Sequence, residues 1–382
     1  MVGDSTNPQP RLLLGRIGPA ALLICLLLDI SLRFVPPGLI AFRAWESVRL
    51  FATGSGPFIP DSVYRNMQSS GDLAGLANLP HFRQYHEEVF STDAAGYRNR
   101  GEISRPFDGI LFVGDSFTVG SGVSDSQTLS EQVNHISGCR VYNGALTPNI
   151  WELIEHLQMT RGLVVWEQSE RFPLPLPIVS EQRWKRQSVR RAFGERRSEM
   201  WRKIYQYAIS LKTYSPLEIL SGRAVKLLQN GEIFPNPYRN EVAVKKLRNG
   251  REILFLSSEV ENDERDRATD PVFFVQLQEN LQKRGIRLLV LLVPDKYSVY
   301  QDLLSSAPPA VVRQKFLDVV EQRLIASRVP VLNMTQDFHK QAEALLARGQ
   351  YLYWLDDTHW NADGIHEAAQ AITNSKGHFE CP

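Results

Sequence analysis

A serine that follows a short apolar segment is the first residue whose setting favours chemistry. Ser116 lies in Gly-Asp-Ser-Phe-Thr, directly after Ile-Leu-Phe-Val at residues 110–113. A serine hydroxyl attacks a carbonyl carbon when a neighbouring base removes its proton and a third group orients that base. The same residue types are also common in turns that only cap a helix. Ser116 is therefore a candidate nucleophile for acyl transfer, provided that the chain supplies a base and an orienting group.

A histidine near the C-terminus can supply that base. His359 lies in Asp-Thr-His-Trp, two residues after Asp357. This spacing lets the carboxylate reach Nδ1 of the imidazole, which fixes the tautomer and leaves Nε2 to accept the serine proton. Loops of this kind also precede helices without any catalytic role, and Asn361 is a suitable N-cap for the helix that follows. The chain has eight histidines, and the other seven have no comparable partner.

The segments that would position these residues alternate between strand and helix patterns. The apolar residues 110–113, ended by Gly114, are typical of a buried parallel strand. Further strands are predicted at 140–143, 163–166, 286–293 and 329–332. Helices are predicted at 126–136, 150–160, 272–284, 311–327, 337–348 and 362–373. This order predicts an α/β fold with a parallel sheet, in which Ser116 lies just beyond the carboxyl end of a strand, where ligands bind in such sheets.

Five regions are predicted along the chain. Residues 1–44 form a cytoplasmic tip with a membrane segment, residues 45–106 a connector and cap, and residues 107–171 the first part of the α/β domain. Residues 172–270 form a basic insertion, and residues 271–382 form the second part of the domain with the Asp-x-His loop. Residues 181–203 of the insertion carry nine basic and three acidic side chains. This segment fits either a solvated helix face or a site for anionic lipid or polymer. Asn249-Gly250 predicts a β-hairpin between residues 242–247 and 252–256.

The N-terminus predicts a signal-anchor. Arg11 and Arg16 precede an uncharged apolar core at residues 17–28, and Asp29 and Arg33 follow it. That core is shorter than a comfortable membrane span, but a tilted helix with snorkelling arginines can cross. A cleaved signal peptide and a buried soluble helix are the alternatives. The basic residues before the core indicate a cytoplasmic N-terminus and a periplasmic or external remainder.

Composition excludes some classes of function. The formal net charge is +1, and no broad basic surface with nucleic-acid reading elements is evident, so nucleic acid is not an expected partner. The three cysteines form no CxxC pair and no cluster with His at zinc spacing, so no metal or other cofactor is expected. Cys139 and Cys381 either pair in an oxidising compartment or remain as two thiols.

Taken together, the serine and histidine motifs resemble the SGNH (GDSL-type) hydrolase superfamily. Longer segments are similar to its AlgX/AlgJ-like branch, which contains periplasmic polysaccharide O-acetyltransferases: TDAAGYRNR, ILFVGDSFT, VPDKYSVY and YLYWLDDTHWNADG, at residues 92–100, 110–118, 293–300 and 351–364. The resemblance covers roughly residues 90–171 and 270–375. It implies a three-layer α/β/α sandwich split by the insertion, with Ser116 as nucleophile, His359 as general base and Asp357 as its orienting group.

The resemblance also implies partners and a location. The acceptor would be a polysaccharide, and the acyl donor would come from a separate multispanning membrane acyltransferase, because activated acyl groups do not cross membranes unaided. The chain would lie at the inner (cytoplasmic) membrane, attached by its N-terminal helix, with the catalytic domain in the periplasm or outside the cell.

The chain departs from the family pattern in several places. In the alginate enzymes the Asp-x-His element precedes the serine, whereas here it follows. In place of the superfamily's oxyanion glycine stands Ala145, with Gly144 one residue earlier. The Gly-x-Asn-Asp block is absent, so Arg171 or Gln168 is a candidate substitute donor. Arg171 could equally form an ion pair with a neighbouring glutamate, Glu167 or Glu170.

Four other residues are candidates for substrate contact. Lys296 follows a predicted strand and could bind the acceptor or make a surface salt bridge. Trp360, Tyr351 and Tyr353 could stack on sugar rings or belong to the core, which is the more common place for large aromatic side chains.

Three functions are compatible with these residues. The first is O-acyl transfer, most simply acetyl transfer, to an exported polysaccharide through an acyl-serine intermediate. The second is ester hydrolysis by the same triad, and the third is glycan binding or assembly without catalysis. An α/β-hydrolase is disfavoured, because the residues around Ser116 do not form Gly-x-Ser-x-Gly.

Overall fold

A computed structural model provides the coordinates of the chain. It describes residues 11–32, 56–172, 174, 239–261, 270–306, 316–375 and 381, together with isolated positions between 217 and 228. The predictions for the basic segment 181–203 lie outside these residues.

The described residues form nine strands and eleven α-helices. Strands β1 to β9 are Val63–Ser69, His86–Ser91, Ile110–Val113, Val141–Asn143, Gly162–Ser169, Val242–Lys246, Glu252–Leu256, Ile286–Val293 and Val331–Asn333. Helices α1 to α11 are Arg11–Leu32, Asp72–Leu76, Ser116–Val119, Leu129–Ser137, Ile150–His156, Ser257–Glu261, Val272–Gln282, Lys296–Tyr300, Phe316–Ala326, Thr335–Leu346 and Ala362–Asn374.

Five of the strands form one parallel sheet, which confirms the predicted α/β fold. The strand order is β4-β3-β5-β8-β9, and each neighbouring pair is parallel. The two longest strands, β5 and β8, pair over their full length from Gly162–Ile286 to Ser169–Val293. Strand β8 is a nearly continuous apolar segment, and β5 is apolar up to Trp166, as expected for strands that are covered on both faces.

Helices cover both faces of this sheet and give three layers. On β3, Ile110 and Phe112 pack into one core cluster, whereas Leu111 and Val113 pack into another. This alternation follows from the two-residue period of a strand. The first cluster contains side chains of α4, α10 and α11, and the second contains side chains of α5, α7 and α9. The layers match the predicted α/β/α sandwich.

A cap precedes the sheet in the chain. It contains the antiparallel pair β1–β2 and the short helix α2. The buried guanidinium of Arg98 joins it to the core, because it donates to Asp125 Oδ1 and to the carbonyls of Val119, Gly120 and Val123. A buried arginine with this many acceptors is satisfied as a structural anchor.

The predicted hairpin in the insertion is present. Strands β6 and β7 pair antiparallel, and Gly250 in the turn has φ of +85°, a conformation that favours glycine. Ile253 and Phe255 of β7 are buried in the first core cluster. Leu254 N donates to Leu355 O at 2.9 Å, so the hairpin contacts the loop that carries the Asp-x-His motif.

The membrane anchor predicted within residues 1–44 finds no support in the structure. Helix α1 spans 22 residues and contains Pro19. Among the residues that the structure describes, no helix combines the length and the apolar character that a membrane crossing requires.

The C-terminus is tied to the domain by a disulfide. Cys139, just after α4, pairs with Cys381 across a sequence separation of 242 residues, with a Cα–Cα distance of 5.3 Å. The structure therefore selects the paired state from the two alternatives that the sequence left open. Cys25 is a free, exposed thiol.

Candidate active site

The turn after β3 presents Ser116 at the first position of α3. Asp115 is the N-cap, because its Oδ1 accepts from Phe117 N at 2.8 Å. Its other oxygen accepts from Ser169 Oγ at 2.7 Å, which links the turn to the end of β5. The helix-capping role considered for this motif is thus filled by the aspartate, and Ser116 is left to face the C-terminal loop.

A buried glutamate holds this turn through two hydrogen bonds. Glu167 Oε2 accepts from Asp115 N and from Thr118 Oγ1, each at 3.0 Å. A Cβ at position 114 would collide with both Glu167 and Thr118, so the turn requires Gly114. Burial raises the pKa of Glu167 well above its usual value, and the nearby charge of Asp115 adds to this effect. The sequence suggests Glu167 only as an ion-pair partner for Arg171, so this supporting role comes from the structure.

A chain of two short hydrogen bonds joins the serine, the histidine and the aspartate. Ser116 Oγ lies 2.7 Å from His359 Nε2, although the two residues are 243 positions apart. His359 Nδ1 lies 2.7 Å from Asp357 Oδ1, which also accepts from the His359 backbone N at 3.0 Å. The carboxylate accepts from Nδ1–H, so Nε2 carries the lone pair that can take the serine proton. The structure thus brings the three predicted residues together in the predicted order.

Lys296 supports the histidine loop from within the protein. Its side chain is fully buried, and Nζ donates to Leu355 O at 3.0 Å and to Asp357 O at 2.9 Å. Burial lowers the pKa of Lys296 to about 8, while neighbouring carboxylates oppose the shift. This buried position fits neither a surface salt bridge nor direct contact with the substrate that accepts the acyl group.

Arg171 lies beside the same loop. Its Nε donates to Asp295 Oδ1 at 3.0 Å and one Nη donates to Thr358 O at 3.2 Å. The same Nη lies 3.4 Å from Glu259 of α6. Burial disfavours the charge, but the carboxylates of Asp295 and Glu259 raise the pKa of Arg171 above its usual value. Arg171 therefore forms an ion pair, but its charged partner is Asp295, and the predicted partners Glu167 and Glu170 are wrong.

The two predicted backbone donors of an oxyanion hole are engaged in other bonds. Gly144 N donates to Phe112 O at 2.8 Å, continuing the sheet. Ala145 N donates to Asn143 Oδ1 at 3.1 Å. Neither N–H points freely into the site in this structure, which corrects the expectation. Gln168 is likewise engaged, because its Nε2 donates to two backbone carbonyls.

The aromatic residues of the loop belong mainly to the core. Trp360 is 0% exposed and its ring packs against Phe117 and Phe338. Tyr353 is equally buried and donates to Pro294 O at 2.5 Å. Tyr351 is partly buried, and its hydroxyl accepts from Asn249 Nδ2 at 3.0 Å. Trp360 and Tyr353 therefore offer no face to a sugar, and the core alternative is correct for both.

Asp72 belongs to no motif that the sequence reveals, yet it contacts the histidine loop. This cap residue accepts from Thr358 N at 2.8 Å and lies 3.6 Å from His359 Nδ1. The possible ligand atoms of Asp72, Asp357 and His359 all lie within 4.8 Å of one another, a spacing that would also suit a metal ion. Both ring nitrogens of His359 already have hydrogen-bond partners, Ser116 and Asp357, which favours a proton relay. The only local signal for Asp72 is its place at the start of a short helix after a glycine.

The C-terminal part of the chain matches a known family model. Residues 251–376 match the family described as ALGX, an SGNH hydrolase-like domain of the acetyltransferase AlgX. Over these residues the chain is similar to an SGNH hydrolase-like domain of the AlgX type. This AlgX-like segment contains β8, the Asp-x-His loop and α11, while Ser116 lies before it in the chain. The match supports an enzyme that transfers or hydrolyses acyl groups.

Other comparisons add little. No curated protein matches the sequence. One solved crystal structure aligns with 69% of this chain and 94% of its own, at 11% identity and a TM-score of 0.30. A likeness of that size carries no argument about fold or function.

Proposed function

We propose that this protein is an O-acyltransferase, most simply an O-acetyltransferase, that modifies an exported polysaccharide. The observation that carries the proposal is the hydrogen-bonded series from Ser116 through His359 to Asp357, with both steps at 2.7 Å. The AlgX-type match over residues 251–376 supports the acetyl group and the class of acceptor.

The reaction proceeds in two halves. In the first, His359 Nε2 takes the proton of Ser116 while Oγ bonds to the acyl carbonyl carbon, and the protonated ring then gives this proton to the leaving group. In the second, His359 takes the proton of a sugar hydroxyl, whose oxygen bonds to the acyl carbon. The bond from that carbon to Ser116 Oγ then breaks, and the ring returns the proton to Oγ. Asp357 holds the ring and stabilises its protonated form throughout, without itself taking the proton.

The oxyanion of each half-reaction needs hydrogen-bond donors near Ser116. The N–H of Ser116 suits this role, because it is in the first turn of α3, where helical N–H groups lack internal partners. Arg171 is the second candidate, since its guanidinium reaches the backbone of the histidine loop and lies 5.1 Å from the centre of the Phe117 ring. Loss of one such donor typically costs about 10²–10³ in rate.

The proposed location is the periplasm or cell exterior, at the cytoplasmic membrane. The Cys139–Cys381 disulfide supports an oxidising compartment. Delivery of the acyl group by a separate multispanning membrane acyltransferase remains part of the proposal. Cell fractionation, with thiol labelling before and after reduction, tests the location; a protein recovered from the cytoplasm with two free thiols at these positions would contradict it.

Ester hydrolysis by the same residues is the second candidate function. The burial of Trp360 and Tyr353 favours it, because neither ring can stack on a polysaccharide acceptor. The chemistry of the first half-reaction is shared, and only the acceptor of the second differs.

The test follows p-nitrophenol release from p-nitrophenyl acetate by the full chain, with and without candidate glycans. Ser116→Ala and His359→Ala are compared with Ser305→Ala and His81→Ala, which alter exposed residues of the same types. Loss in the first pair alone, with acetyl recovered on a glycan, supports transfer. Acetate formed at the same rate with and without glycan supports hydrolysis. A folded wild type that is as inactive as Ser116→Ala, also with a donor protein present, would leave glycan binding.

A further inference from the structure

A carboxylate from the cap reaches the histidine loop of the proposed site. Asp72, the first residue of α2, accepts from Thr358 N at 2.8 Å through Oδ1 and from Thr358 Oγ1 at 2.6 Å through Oδ2. These two residues are 286 positions apart in the chain. Thr358 lies between Asp357 and His359, so Asp72 holds the middle residue of the Asp-x-His motif from outside.

The bond from Thr358 to Asp72 also determines what the threonine hydroxyl can do for the imidazole. Thr358 Oγ1 lies 3.1 Å from His359 Nδ1. Because the hydroxyl proton is donated to Asp72, the threonine oxygen presents a lone pair to the Nδ1–H group. The imidazole N–H therefore has two acceptors, Asp357 and the hydroxyl that Asp72 orients.

Asp72 places a second negative charge close to the same ring. Its Oδ2 lies 3.6 Å from His359 Nδ1, compared with 2.7 Å for Asp357. The Asp72 side chain is 32% exposed, whereas that of Asp357 is 0% exposed. Solvent therefore screens Asp72 more, and its effect on the ring is the smaller of the two. The nearby cations, Lys296 and Arg171, bind backbone carbonyls of the loop.

The cap is held in register with the loop by other hydrogen bonds. Gly71 N and Gln84 N both donate to Asp356 Oδ2 at 2.8 Å. Gln84 Oε1 accepts from Leu355 N at 3.1 Å, and Asp72 N donates to Asp357 Oδ2 at 3.3 Å. The position of Asp72 is therefore part of a built interface between two distant parts of the chain.

We propose that Asp72 is a positioning residue of the acyl-transfer site, acting through Thr358 on His359. This inference rests on the proposed function. When the proton of Ser116 moves to Nε2 and the Oγ–carbon bond forms, the ring gains a positive charge. Asp72 stabilises that charge and keeps the ring oriented, and it takes no proton itself. The cap is thus a component of the active site.

The test compares Asp72→Asn and Thr358→Val with Asp61→Asn, an exposed aspartate of the same cap. Asparagine keeps the size of the side chain and one acceptor for Thr358 N, but it removes the charge. We expect kcat to fall about 10-fold in both variants with little change in KM, because an interaction with the charged ring of the transition state is lost. Asp72→Glu should restore part of the rate, and Asp61→Asn should match wild type.

The pH profile separates positioning by charge from simple structural support. Loss of a neighbouring carboxylate disfavours the protonated ring, so the acidic limb of the rate profile should move to lower pH by roughly 0.5–1 unit in Asp72→Asn. A purely structural role predicts a lower rate with an unmoved limb. That result, or an Asp72→Asn variant with wild-type kcat, would overturn the inference.

A second measurement does not require activity. The titration of the His359 ring is followed by NMR in the full chain, with its signal assigned by its loss in His359→Gln. A midpoint lower in Asp72→Asn than in wild type supports the inference even if no acyl transfer is found, in which case only the proposed function fails. Equal midpoints reject the inference, whatever the activity.

Discussion

At the scale of single residues, the site depends on short hydrogen bonds made by buried groups. Asp357 is fully buried, and one of its oxygens accepts from both the ring and the backbone of His359. This double contact explains why a two-residue spacing suits the chemistry: the carboxylate fixes the backbone and the ring of one histidine together.

The first prediction concerns that carboxylate. Asp357→Asn should keep the volume of the side chain but present an amide to Nδ1, which favours the wrong tautomer. We expect kcat to fall by about 10³–10⁴, as in other serine triads. Steady-state acetyl ester turnover measures the effect, and Asp363→Asn, an exposed aspartate on α11, is the control. An Asp357→Asn variant with activity close to wild type would remove Asp357 from the mechanism.

A second prediction concerns the buried lysine. Lys296→Met should leave the carbonyls of Leu355 and Asp357 without their donor, at a cost of about 1–3 kcal/mol for each buried group. Thermal unfolding should therefore occur at lower temperature and acyl transfer should weaken, because the Asp-x-His loop loses its support. Lys340→Met, at an exposed position of α10, should change neither property. If both variants unfold alike, Lys296 does not hold the loop.

At the scale of elements, two segments outside the sheet complete the site. Helix α2 in the cap supplies Asp72, and α6, which follows the β6–β7 hairpin, supplies Glu259. Both contact residues at the carboxyl edge of the sheet. Parallel sheets bind ligands at that edge, so additional segments that pack there become part of the site.

The third prediction tests the contact between the cap and the loop. Gly71 has φ of −63°, which alanine also adopts, but a Cβ there would collide with the backbone carbonyl of Asp356. Gly71→Ala should therefore displace α2, lower stability by about 1–3 kcal/mol and reduce acyl transfer. Circular dichroism should show the fold retained. The exposed neighbour His81→Ala is the control, and unchanged activity in Gly71→Ala would argue that the cap is not needed.

The fourth prediction concerns the buried carboxyl of α6. Burial raises the pKa of Glu259 from 4.5 to about 8, although Arg171 opposes the shift. A group whose pKa is higher in the folded state favours folding at low pH, and this contribution is lost as pH rises between about 4.5 and 8. Glu259→Gln should lack this pH dependence. Urea unfolding of both proteins at pH 5 and pH 8 measures it; parallel changes in the two would contradict the prediction.

At the scale of the whole molecule, the site joins parts of the chain that are far apart. Ser116 comes from the first part of the sheet, His359 from the C-terminal loop and Asp72 from the cap. The disulfide between Cys139 and Cys381 closes the chain over 242 residues that include the insertion and the histidine loop. Stability of the domain and integrity of the site should therefore change together.

The fifth prediction follows from that closure. Cys139→Ser or Cys381→Ser should lower the free energy of unfolding by about 2–5 kcal/mol, because the unfolded chain regains the freedom that the disulfide removes. Thermal unfolding with and without dithiothreitol measures this. Wild type with reductant should approach the variants, and Cys25→Ser should have no effect because that thiol is free. A wild type that is insensitive to reductant would show that the disulfide does not stabilise it.

Local pattern alone predicted most of the sheet and picked out the three residues of the proposed triad. The strand predicted at 286–293 is present with the same bounds, and the last helix, predicted at 362–373, spans Ala362–Asn374. Apolar periodicity is a property of neighbouring residues, so it can be recognised in the sequence without knowledge of tertiary contacts. The same is true of the Asp-x-His spacing, because both groups belong to one loop.

Only the tertiary structure decided which other groups meet that triad. Asp72 contacts Thr358 across 286 positions, and no local pattern records such a contact. The sequence predicts Gly144 as an oxyanion donor, but its N–H donates to the carbonyl of Phe112 in the sheet. The sequence also allows Trp360 to stack on a sugar, but its ring is buried in the core. A residue type determines which interactions a side chain can make, whereas packing decides which partner it obtains, because an N–H group or an apolar face that the protein already occupies is not available to a ligand.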